Sequence, residues 1–307
     1  MSTPLRVGII GLGARCTIAE NCQDSTVPAE LVGGCDPNPA MRERAREILG
    51  DHPWVESLEE LLRLGIDAAI VTSPDDTHED ITCQLLEAGV GVYLEKPIAI
   101  TIEGADRVLE TAFRTRTPLY VGHNMRHMAV VRILRQVIRD GLIGEVRAIW
   151  CRHFVGNGGD YYFKDWHAER SRTTGLLLQK AAHDIDVMNW LSDSVPERVV
   201  GMGDLMVYGK LTDRSGQRSD RVMSDWFSYE NWPPESLTGL NPVIDVEDLS
   251  MFMMRQVSGT MISYEQCHFT PDYWRNYTVI GTRGRAENFG DGDGGVVRVW
   301  KHRSRWE

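Results

Sequence analysis

The chain has 307 residues, of which 42% are apolar and 25% are charged, a composition that is typical of soluble globular proteins and excludes a disordered chain. Its net charge is −11, from 33 basic and 44 acidic residues, and no basic stripe runs through it, which argues against nucleic acid or an anionic membrane surface as a partner. The N-terminus lacks the charged and apolar regions of a signal peptide, and no apolar run is long enough to span a membrane.

The cysteines and histidines predict neither disulfides nor a metal site. Six cysteines are scattered along the chain without a paired or framework spacing. In a chain of this length that pattern indicates reduced thiols and a cytoplasmic protein. The nearest approach to a metal motif is His123-x-x-x-His127, which lacks the glutamate of a zinc-protease helix, so we predict no metal ligands.

The segment RVGIIGLGARC, from Arg6 to Cys16, has the pattern of a coenzyme-binding turn. An apolar strand breaks at Gly11-Leu12-Gly13, and a predicted helix follows as far as about Asp24. The first glycine permits a tight turn, the second admits a pyrophosphate, and the helix begins at the anion. Because position 16 is Cys rather than Gly or Ala, an ordinary glycine turn stays open as an alternative. The candidate coenzyme residues here are Gly11, Gly13, Ala14 and Arg15.

The second predicted strand, AELVGGCD, ends at Asp36, 25 residues after Gly11. A carboxylate at this place can accept hydrogen bonds from the hydroxyls of an adenosine ribose, and it would repel a 2′-phosphate. No arginine follows directly, so we predict NAD as the cofactor, with NADP less favoured. The alternative is that Asp36-Pro37 only starts a turn before the next helix.

Strands and helices alternate through residues 1–123. Helices are predicted over 39–49, 58–64 and 103–114 and from about residue 76, with the apolar strands DAAIVTSP, VGVYLEKP and PLYVGHN between them. This alternation predicts an α/β Rossmann domain with a doubly wound parallel sheet, in which ligands bind at the carboxyl ends of the strands. The candidate site residues lie at such ends: Gly11, Gly13, Asp36, Ser73, Lys96 and Asn124.

Residues 124–307 form the predicted second domain, an α+β domain with a mostly antiparallel open sheet. A helix that starts near His127 leads to the strand EVRAIWCRHF, and further strands joined by glycine turns follow residue 195. Between Gly156 and Gly175 lies a long polar and aromatic loop, which suits a polyol ring. In the alternative interpretation its aromatic side chains only pin the loop to the sheet. The candidate substrate residues in the loop are Tyr161, Tyr162, Trp166 and His167.

Two further groups are candidates for proton transfer. The predicted helix over 176–191 carries Lys180, His183 and Asp186 at intervals of three residues, so they lie near one face, as either a proton relay or a solvated surface. In the relay, His183 would be the general base. Lys96, at a strand end beside a proline, would place an ammonium group near an alkoxide that develops during hydride transfer, or form only a surface ion pair.

These motifs together resemble the glucose–fructose oxidoreductase, inositol dehydrogenase and rhizopine-catabolism protein family (Gfo/Idh/MocA) from residue 6 to about 290. The resembling segments are the glycine turn, Thr72-Ser73-Pro74 with His78, Glu95-Lys96-Pro97, KAAHDID over 180–186, and NWL over 189–191. The resemblance implies that Ser73, Pro74, His78, Glu95 and Asn124 contact the coenzyme. It also implies that Lys96 contacts both the nicotinamide ribose and the substrate hydroxyl, and that the open sheet packs on another subunit in a homodimer or homotetramer.

The resemblance implies an NAD(P)-dependent oxidoreductase that moves a hydride between the nicotinamide and a secondary alcohol of a sugar, cyclitol or glycoside. Lys96 and His183 would transfer the proton, and Lys180 and Asp186 are further catalytic candidates. A redox–elimination enzyme resembling a glycosidase and a non-catalytic NAD-binding sensor stay open. Many members carry an aspartate four residues before the histidine, where this chain has Gln179, so either His183 works without it or Lys180, Asp184 or Asp186 partly replaces it. Members also run on beyond the segment VVRVWKHRSRWE, which predicts that part of the second domain is missing.

Overall fold

The structure, a computed structural model, describes residues 3–22, 27–216 and 220–303. It divides into two compact units, which are treated separately below. Unit 1 comprises Met1–Gly122, Lys164–Thr174 and Gly216–Phe227, and unit 2 comprises His123–Phe163, Gly175–Ser215 and Ser228–Glu307. The division into domains after residue 123 stays a prediction.

The helices and strands follow the predicted alternation. In chain order the first of them are β1 (Leu5–Ile10), β2 (Ala29–Cys35), α1 (Pro39–Leu49), β3 (Trp54–Val55), α2 (Leu58–Arg63), β4 (Ala68–Val71), α3 (His78–Glu87), β5 (Gly91–Leu94), α4 (Ile102–Thr115) and β6 (Leu119–Val121). They continue with α5 (Ala129–Arg139), β7 (Val146–Phe154), α6 (Gly158–Tyr162), α7 (Arg170–Thr173), α8 (Leu176–Ser192), β8 (Pro196–Asp204), β9 (Leu249–Gln256), β10 (Met261–Cys267), β11 (Trp274–Gly281), β12 (Arg285–Phe289) and β13 (Val296–Trp300). Short 3-10 helices lie at Cys16–Cys22, Asp75–Thr77, Asn124–His127, Trp166–Ala168, Tyr208–Lys210, Met223–Asp225 and Pro234–Ser236.

Unit 1 contains a six-stranded parallel sheet in the order β3-β2-β1-β4-β5-β6. The central strands are short apolar runs with buried side chains, as expected where helices cover a parallel sheet. Side-chain caps fix where helices begin: Ser57 accepts a hydrogen bond from the backbone N–H of Glu60, and Thr101 from that of Gly104. The order reverses between β1 and β4, so the crevice where such sheets bind ligands lies at the carboxyl ends of these two strands. The predicted Rossmann fold is confirmed.

The segment after the glycine turn differs from its prediction. Instead of an α-helix, residues Cys16–Cys22 form a 3-10 helix, and the predicted end near Asp24 lies outside the described residues. Two β-branched residues, Thr17 and Ile18, disfavour an α-helix, and the side chain of Asn21 donates a hydrogen bond to the carbonyl of Ile18. The helix-end contribution to anion binding is therefore smaller than the sequence pattern suggested.

Unit 2 contains a seven-stranded sheet in the order β13-β12-β11-β7-β10-β9-β8. Only the pair β7 and β10 is parallel, and the other neighbours are antiparallel, which confirms the mostly antiparallel sheet. Buried and exposed residues alternate along β9 and β10 because one face is covered. Helices α5 and α8 contribute side chains such as Val130, Leu134 and Val187 to the core on that face.

The opposite face of the unit 2 sheet carries a row of exposed apolar side chains. In the strand register Val200 lies opposite Met253, Met253 opposite Ser263, and Ser263 opposite Trp150. Val200, Met253 and Trp150 are 63%, 56% and 54% exposed. Rows of exposed apolar side chains are typical of interaction surfaces.

The segment predicted as an unstructured loop between Gly156 and Gly175 contains α6, a 3-10 helix and α7. Glycine at position 158 allows α6 to pack closely on the backbone of His268, because a Cβ atom there would lie 2.5 Å from the carbonyl oxygen of His268. The 3-10 helix at Trp166–Ala168 starts at Asp165, whose side chain accepts a hydrogen bond from the backbone N–H of His167. The second predicted loop, from Thr212 to Pro242, is mostly irregular where described and contains two short 3-10 helices.

Candidate functional site

The glycine turn of unit 1 has the shape that a dinucleotide requires. Gly11 has a φ of +86°, and a Cβ atom there would lie 2.4 Å from the backbone nitrogen of Ser73, so only glycine fits. At Gly13 no heavy atom lies within 4 Å of a Cβ position, which leaves the open approach that a pyrophosphate needs. The hydroxyl of Thr72, at the end of β4, donates to the carbonyl of Gly11 at 2.7 Å and ties the turn to the centre of the sheet.

Asp36 lies beside this turn, at the end of β2. Its carboxylate accepts hydrogen bonds from the backbone N–H groups of Leu12 at 2.9 Å and Asn38 at 2.8 Å. Each carboxylate oxygen has a second lone pair, so the group can still accept bonds from ribose hydroxyls. Arg42, which no sequence motif marks, donates to the backbone carbonyl of Asp36 at 2.6 Å and brings a positive charge next to the predicted ribose site. These residues fit NAD.

His78 joins two of the strand-end segments that carry predicted coenzyme residues. Its ring nitrogens lie 2.7 Å from the carbonyl oxygen of Pro97 and 2.9 Å from that of Ser73, and the side chain is 1% exposed. Neutral histidine donates one of these hydrogen bonds, and the imidazolium donates both. In either form the ring connects the end of β4 with the turn that follows Lys96.

Arg15 and Glu95, both predicted to contact the coenzyme, pair with each other instead of standing apart. Nη2 of Arg15 lies 2.7 Å from Oε1 of the buried Glu95. The second oxygen of Glu95 accepts a hydrogen bond from the backbone N–H of Lys96 at 3.2 Å. The glycine turn and the β5 end are therefore linked by an ion pair next to the half-buried Lys96. Ala14, directly before Arg15 in the turn, is exposed.

Asp75, which the sequence analysis did not single out, is a buried carboxyl group in unit 1. It follows Pro74 at the carboxyl end of β4 and is 4% exposed. Burial raises its pKa, whereas the charges of Lys96, His167 and His78 and a hydrogen bond from Thr173 act in the opposite direction. Three predicted site residues, Lys96, His167 and His78, therefore act on the charge of this buried carboxyl group. The local sequence Pro-Asp-Asp does not show that Asp75 differs from an exposed turn residue.

Unit 2 contains a cavity of about 430 Å³ that holds several other predicted residues. Its lining includes Lys180 and His183 of α8, Tyr161 and Tyr162 of α6, and Asn124. The ammonium group of Lys180 lies 4.3 Å from the centre of the Tyr162 ring, a cation–π distance. Cations, an imidazole and aromatic rings around one cavity suit a polar ligand with apolar ring faces.

Asp186 faces elsewhere and forms a surface ion pair. Its carboxylate accepts hydrogen bonds from Nε of Arg126 at 2.7 Å and Nη2 at 2.5 Å. His123 lies 4.0 Å from the same carboxylate. Asp186 does not line the cavity that contains Lys180 and His183, so its proposed relay role would pass through neighbouring groups.

Trp166 and His167 belong to unit 1. Their rings stack at 3.6 Å, and Arg172 lies over the Trp166 ring. His167 is 3% exposed, and its Nδ1 lies 2.6 Å from Oδ1 of Asp165. A carboxylate in this position fixes the orientation and tautomer of an imidazole.

Beneath the cavity of unit 2 lies a buried charged network around Asp184, which was considered from the sequence only as a partial replacement for the missing aspartate. Asp184 is fully buried, and its carboxylate accepts hydrogen bonds from the hydroxyls of Tyr264, at 3.0 Å, and Tyr277. Nε of Arg275 and Nδ1 of His153 each lie 3.3 Å from the carboxylate. Burial opposes ionisation of Asp184, but Arg275, His153 and Tyr277 together hold the pKa of this carboxyl group below its ordinary value.

The same network predicts a pH-dependent stability. Burial and the charge of Arg275 lower the pKa of His153 to about 4, against the combined effect of Asp184. An unfolded chain takes up a proton at this histidine near pH 6.5, so the stabilisation is complete above that pH and is lost as the pH falls towards 4. We expect the free energy of unfolding to decrease by up to about 1.4 kcal/mol per pH unit from this group.

Urea denaturation between pH 7.5 and 4.5 measures this effect, with His153→Gln as the comparison because glutamine does not titrate. The difference between wild type and variant should shrink as the pH falls. His52→Gln, at a site outside the network, is the matched control and should follow the wild type. Parallel curves for wild type and His153→Gln across this range would contradict the role given to His153.

Among the described residues, no helix is both long enough and apolar enough to cross a membrane. In the same part of the chain, no group of three or more His, Cys, Asp or Glu side chains is arranged to hold a metal ion.

Comparison with protein families gives two matches that together cover most of the chain. Residues 5–123 match the model of an oxidoreductase family with an NAD-binding Rossmann fold, and residues 131–287 match the GFO/IDH/MocA C-terminal domain. The predicted NAD-binding domain is thereby confirmed. The sequence signals behind the resemblance to this family were the glycine turn and the strand-end lysine in the first domain and the KAAHDID segment in the second.

Several curated proteins are similar to this chain. YteT of Bacillus subtilis, named as an oxidoreductase, is 28% identical over 268 residues, which is 76% of this chain and 63% of that protein. The inositol 2-dehydrogenase of Azotobacter vinelandii is 29% identical over 62% of this chain and 54% of its own length. The glucose-6-phosphate 3-dehydrogenase of Bacillus subtilis is 30% identical over 63% of this chain and 56% of its own length. The chain thus spans less than two thirds of the length of these relatives.

A solved structure supports the fold at lower identity. The WlbA dehydrogenase of Bordetella pertussis, crystallised with NADH and UDP-GlcNAcA, superposes with a TM-score of 0.75 at 21% identity. The match covers 99% of this chain and 84% of that one. At this identity the similarity shows the fold and nothing about the substrate.

Proposed function

Because the chain belongs to the Gfo/Idh/MocA oxidoreductase family, we propose that it oxidises or reduces a secondary alcohol of a sugar, cyclitol or glycoside with NAD. One observation carries the proposal: the Gly11 turn and Lys96 lie at the carboxyl ends of strands in the same parallel sheet, where such sheets bind ligands. An ammonium group beside a dinucleotide turn is suited to a substrate oxygen that becomes negative.

In this proposal the residues of unit 1 bind the coenzyme. Gly11 and Gly13 leave room for the pyrophosphate, and Asp36 accepts hydrogen bonds from the adenosine ribose. Bound NAD supplies a nicotinamide ring that accepts or returns a hydride. The ion pair of Arg15 with Glu95 holds the two strand ends in place beside Lys96. Ser73, Pro74, His78 and Asn124 stay candidates for coenzyme contacts.

The proton path of the proposal uses Lys96 and His183. Lys96 donates a hydrogen bond to the substrate oxygen and stabilises its negative charge, while His183 accepts the hydroxyl proton as general base. Gln179 cannot accept a proton, so His183 acts without a carboxylate four residues earlier. Lys180, next to the Tyr162 ring, adds a positive charge to the same cavity. Tyr161, Tyr162, Trp166 and His167 are the proposed substrate contacts.

Two measurements on the intact chain test this proposal. Isothermal titration with NAD should detect binding, and absorbance at 340 nm with a panel of cyclitols, sugars and glycosides should detect NADH formation. NAD binding without turnover on any substrate would favour the sensor alternative. Release of the leaving group from a glycoside with no net NADH formed would favour the redox–elimination cycle. Absence of NAD binding would overturn the proposal as a whole.

Replacement of Asp36 by alanine is expected to change the coenzyme preference. The carboxylate repels a 2′-phosphate, and Arg42 stays nearby to attract one. We expect the ratio of the NADP dissociation constant to the NAD dissociation constant to fall about tenfold or more, which corresponds to about 1.4 kcal/mol or more. Calorimetric titration with both coenzymes measures this ratio.

Asp51→Ala is the matched control, because Asp51 is exposed and follows the same β2-α1 segment. Its coenzyme preference should equal that of the wild type. An unchanged preference in Asp36→Ala would remove Asp36 from the proposed ribose site.

The proposal includes a homo-oligomer formed through the exposed face of the unit 2 sheet. The apolar row of Val200, Met253 and Trp150 supports it, since single-chain proteins rarely expose such a patch. A double change, Val200→Glu with Met253→Glu, should convert the assembly to monomers in light scattering. Leu109→Glu, which changes an exposed leucine of unit 1, should leave the assembly intact. A wild-type protein that is monomeric at micromolar concentration would contradict this part.

A further inference from the structure

The carboxyl group of Asp75 stands out in unit 1 because it is buried. Asp75 is 4% exposed, and the hydroxyl of Thr173 donates a hydrogen bond to its Oδ2 at 3.3 Å. Burying an ionised carboxylate is costly unless nearby charges and hydrogen bonds compensate. The next residue, Asp76, is exposed and pairs with Arg172, so the two neighbouring aspartates have different surroundings.

The groups that face Asp75 come from four parts of unit 1. Lys96 approaches from the β5 end, His78 from the start of α3, His167 from the 3-10 helix at Trp166–Ala168, and Thr173 from α7. Each of the three titratable groups favours the ionised carboxylate, while burial opposes it more strongly.

Two other carboxylates of unit 1 have ion-pair partners: Glu95 pairs with Arg15, and Asp165 pairs with His167 at 2.6 Å. The charges that favour ionisation of Asp75 are those of a lysine and two imidazoles.

The backbone segments that carry Asp75 and Lys96 are linked to each other through His78. His78 contacts the carbonyl of Ser73, two residues before Asp75, and the carbonyl of Pro97, directly after Lys96. Both segments are short and continue from adjacent strands, β4 and β5. A side chain placed this way can influence the charge of its neighbour without contacting the substrate.

We propose that Asp75 is a positioning residue for Lys96: its buried carboxylate, hydrogen-bonded by Thr173 and flanked by His78 and His167, keeps the amine of Lys96 in its ammonium form. This inference rests on the proposed function, in which Lys96 donates a hydrogen bond to the substrate oxygen. The carboxylate would take no part in hydride transfer and would contact neither substrate nor coenzyme. It supplies a charge from within unit 1, independently of the aspartate that Gln179 replaces in α8.

The direct test measures the ionisation of Lys96 without requiring turnover. The chain has five lysines, at positions 96, 164, 180, 210 and 301, so ¹³C-dimethylated lysine signals can be followed individually by NMR. Lys96→Arg identifies the signal of Lys96 by its disappearance. Asp75→Asn should lower the pKa of Lys96 by about one unit or more, since an opposite charge within a few ångströms shifts a pKa by about 1–3 units.

Asp76→Asn is the matched control, because it changes the neighbouring residue of the same type at the surface. It should leave the Lys96 titration unchanged. A Lys96 titration in Asp75→Asn that superposes on the wild type would overturn the inference. So would an equal shift in both variants, since it would indicate a general loss of negative charge.

Kinetics supply a second readout. In Asp75→Asn the limb of the kcat–pH profile that depends on Lys96 should move to lower pH by about as much as the NMR titration does. Rate loss at every pH with no movement of the limb would indicate a merely structural role. If the wild type shows no turnover at all, the proposed function fails, while the NMR result still decides the inference about Asp75.

The variant is expected to fold. Asparagine keeps the size of aspartate and can still accept the hydrogen bond from Thr173. Because burial raises the pKa of Asp75, its ionised form destabilises the folded state at neutral pH, so removing the charge should not lower the free energy of unfolding. Asp75→Ser, smaller and uncharged, should give the same shift in the Lys96 titration, and urea denaturation verifies the fold of both variants.

Discussion

Replacement of Lys96 by methionine is expected to lower kcat about 10³-fold while the dissociation constant of NAD stays within about threefold of the wild type. Methionine keeps most of the side-chain length and removes the ammonium group, so the negative charge on the substrate oxygen loses its hydrogen-bond donor. In the proposed site, NAD is bound chiefly by the glycine turn and Asp36, which this change does not touch. Steady-state rates at 340 nm and calorimetric NAD titration measure the two quantities.

Lys210→Met is the matched control, because Lys210 is an exposed lysine of unit 2 outside the cavity. It should retain the wild-type rate and NAD affinity. Activity that survives in Lys96→Met would show that the proposed proton path is wrong. Loss of NAD binding together with activity would instead give Lys96 a role in holding the coenzyme.

Replacement of Asp184 by asparagine is expected to lower the free energy of unfolding by about 3 kcal/mol or more. The change leaves the guanidinium of Arg275 buried with a weaker set of counter-charges, of which Asp291 at 3.5 Å remains. It also replaces one acceptor oxygen with an NH₂ group, which then faces the donating hydroxyl of either Tyr264 or Tyr277. Chemical denaturation at pH 7 measures the loss.

Asp193→Asn provides the comparison on the same helix. Asp193 is an exposed residue in the left-handed conformation at the end of α8, where asparagine is equally well accommodated. Its free energy of unfolding should stay within about 0.5 kcal/mol of the wild type. A loss as small as this in Asp184→Asn would mean that Arg275 is adequately compensated by its other neighbours.

Much of the architecture could be predicted from local patterns. The parallel sheet of unit 1 follows from short apolar runs that alternate with capped helices. The coenzyme turn follows from Gly11 and Gly13, because glycine is needed where the backbone turns tightly or where a ligand approaches it closely. The motif around Lys96 was recognisable because a lysine and a proline follow a buried strand. Each of these signals lies within a few consecutive residues.

The buried charges could not be predicted, because their partners are distant in the sequence. Asp184 is adjacent to His183 in the chain, yet its surroundings are made by Tyr264, Tyr277 and Arg275, 80 or more residues away. Asp75 looks like an ordinary turn residue until Thr173, 98 residues later, is placed against it. The periodicity of the sequence predicts which face of a helix or strand a side chain occupies, but it does not predict which charged groups from distant segments pack against that side chain.

The composition of unit 1 from three separate stretches of chain has a consequence for its folding. The chain passes from one unit to the other after residues 122, 163, 174, 215 and 227. Val222, in the third stretch, packs in the same core as Ile9 and Leu12. A fragment that ends at residue 123 would therefore lack one of the side chains that fill this core. Limited proteolysis in the segment 216–227 should therefore reduce the protection of the β1 amides from hydrogen exchange, although the cut lies more than 200 residues from β1 in the sequence.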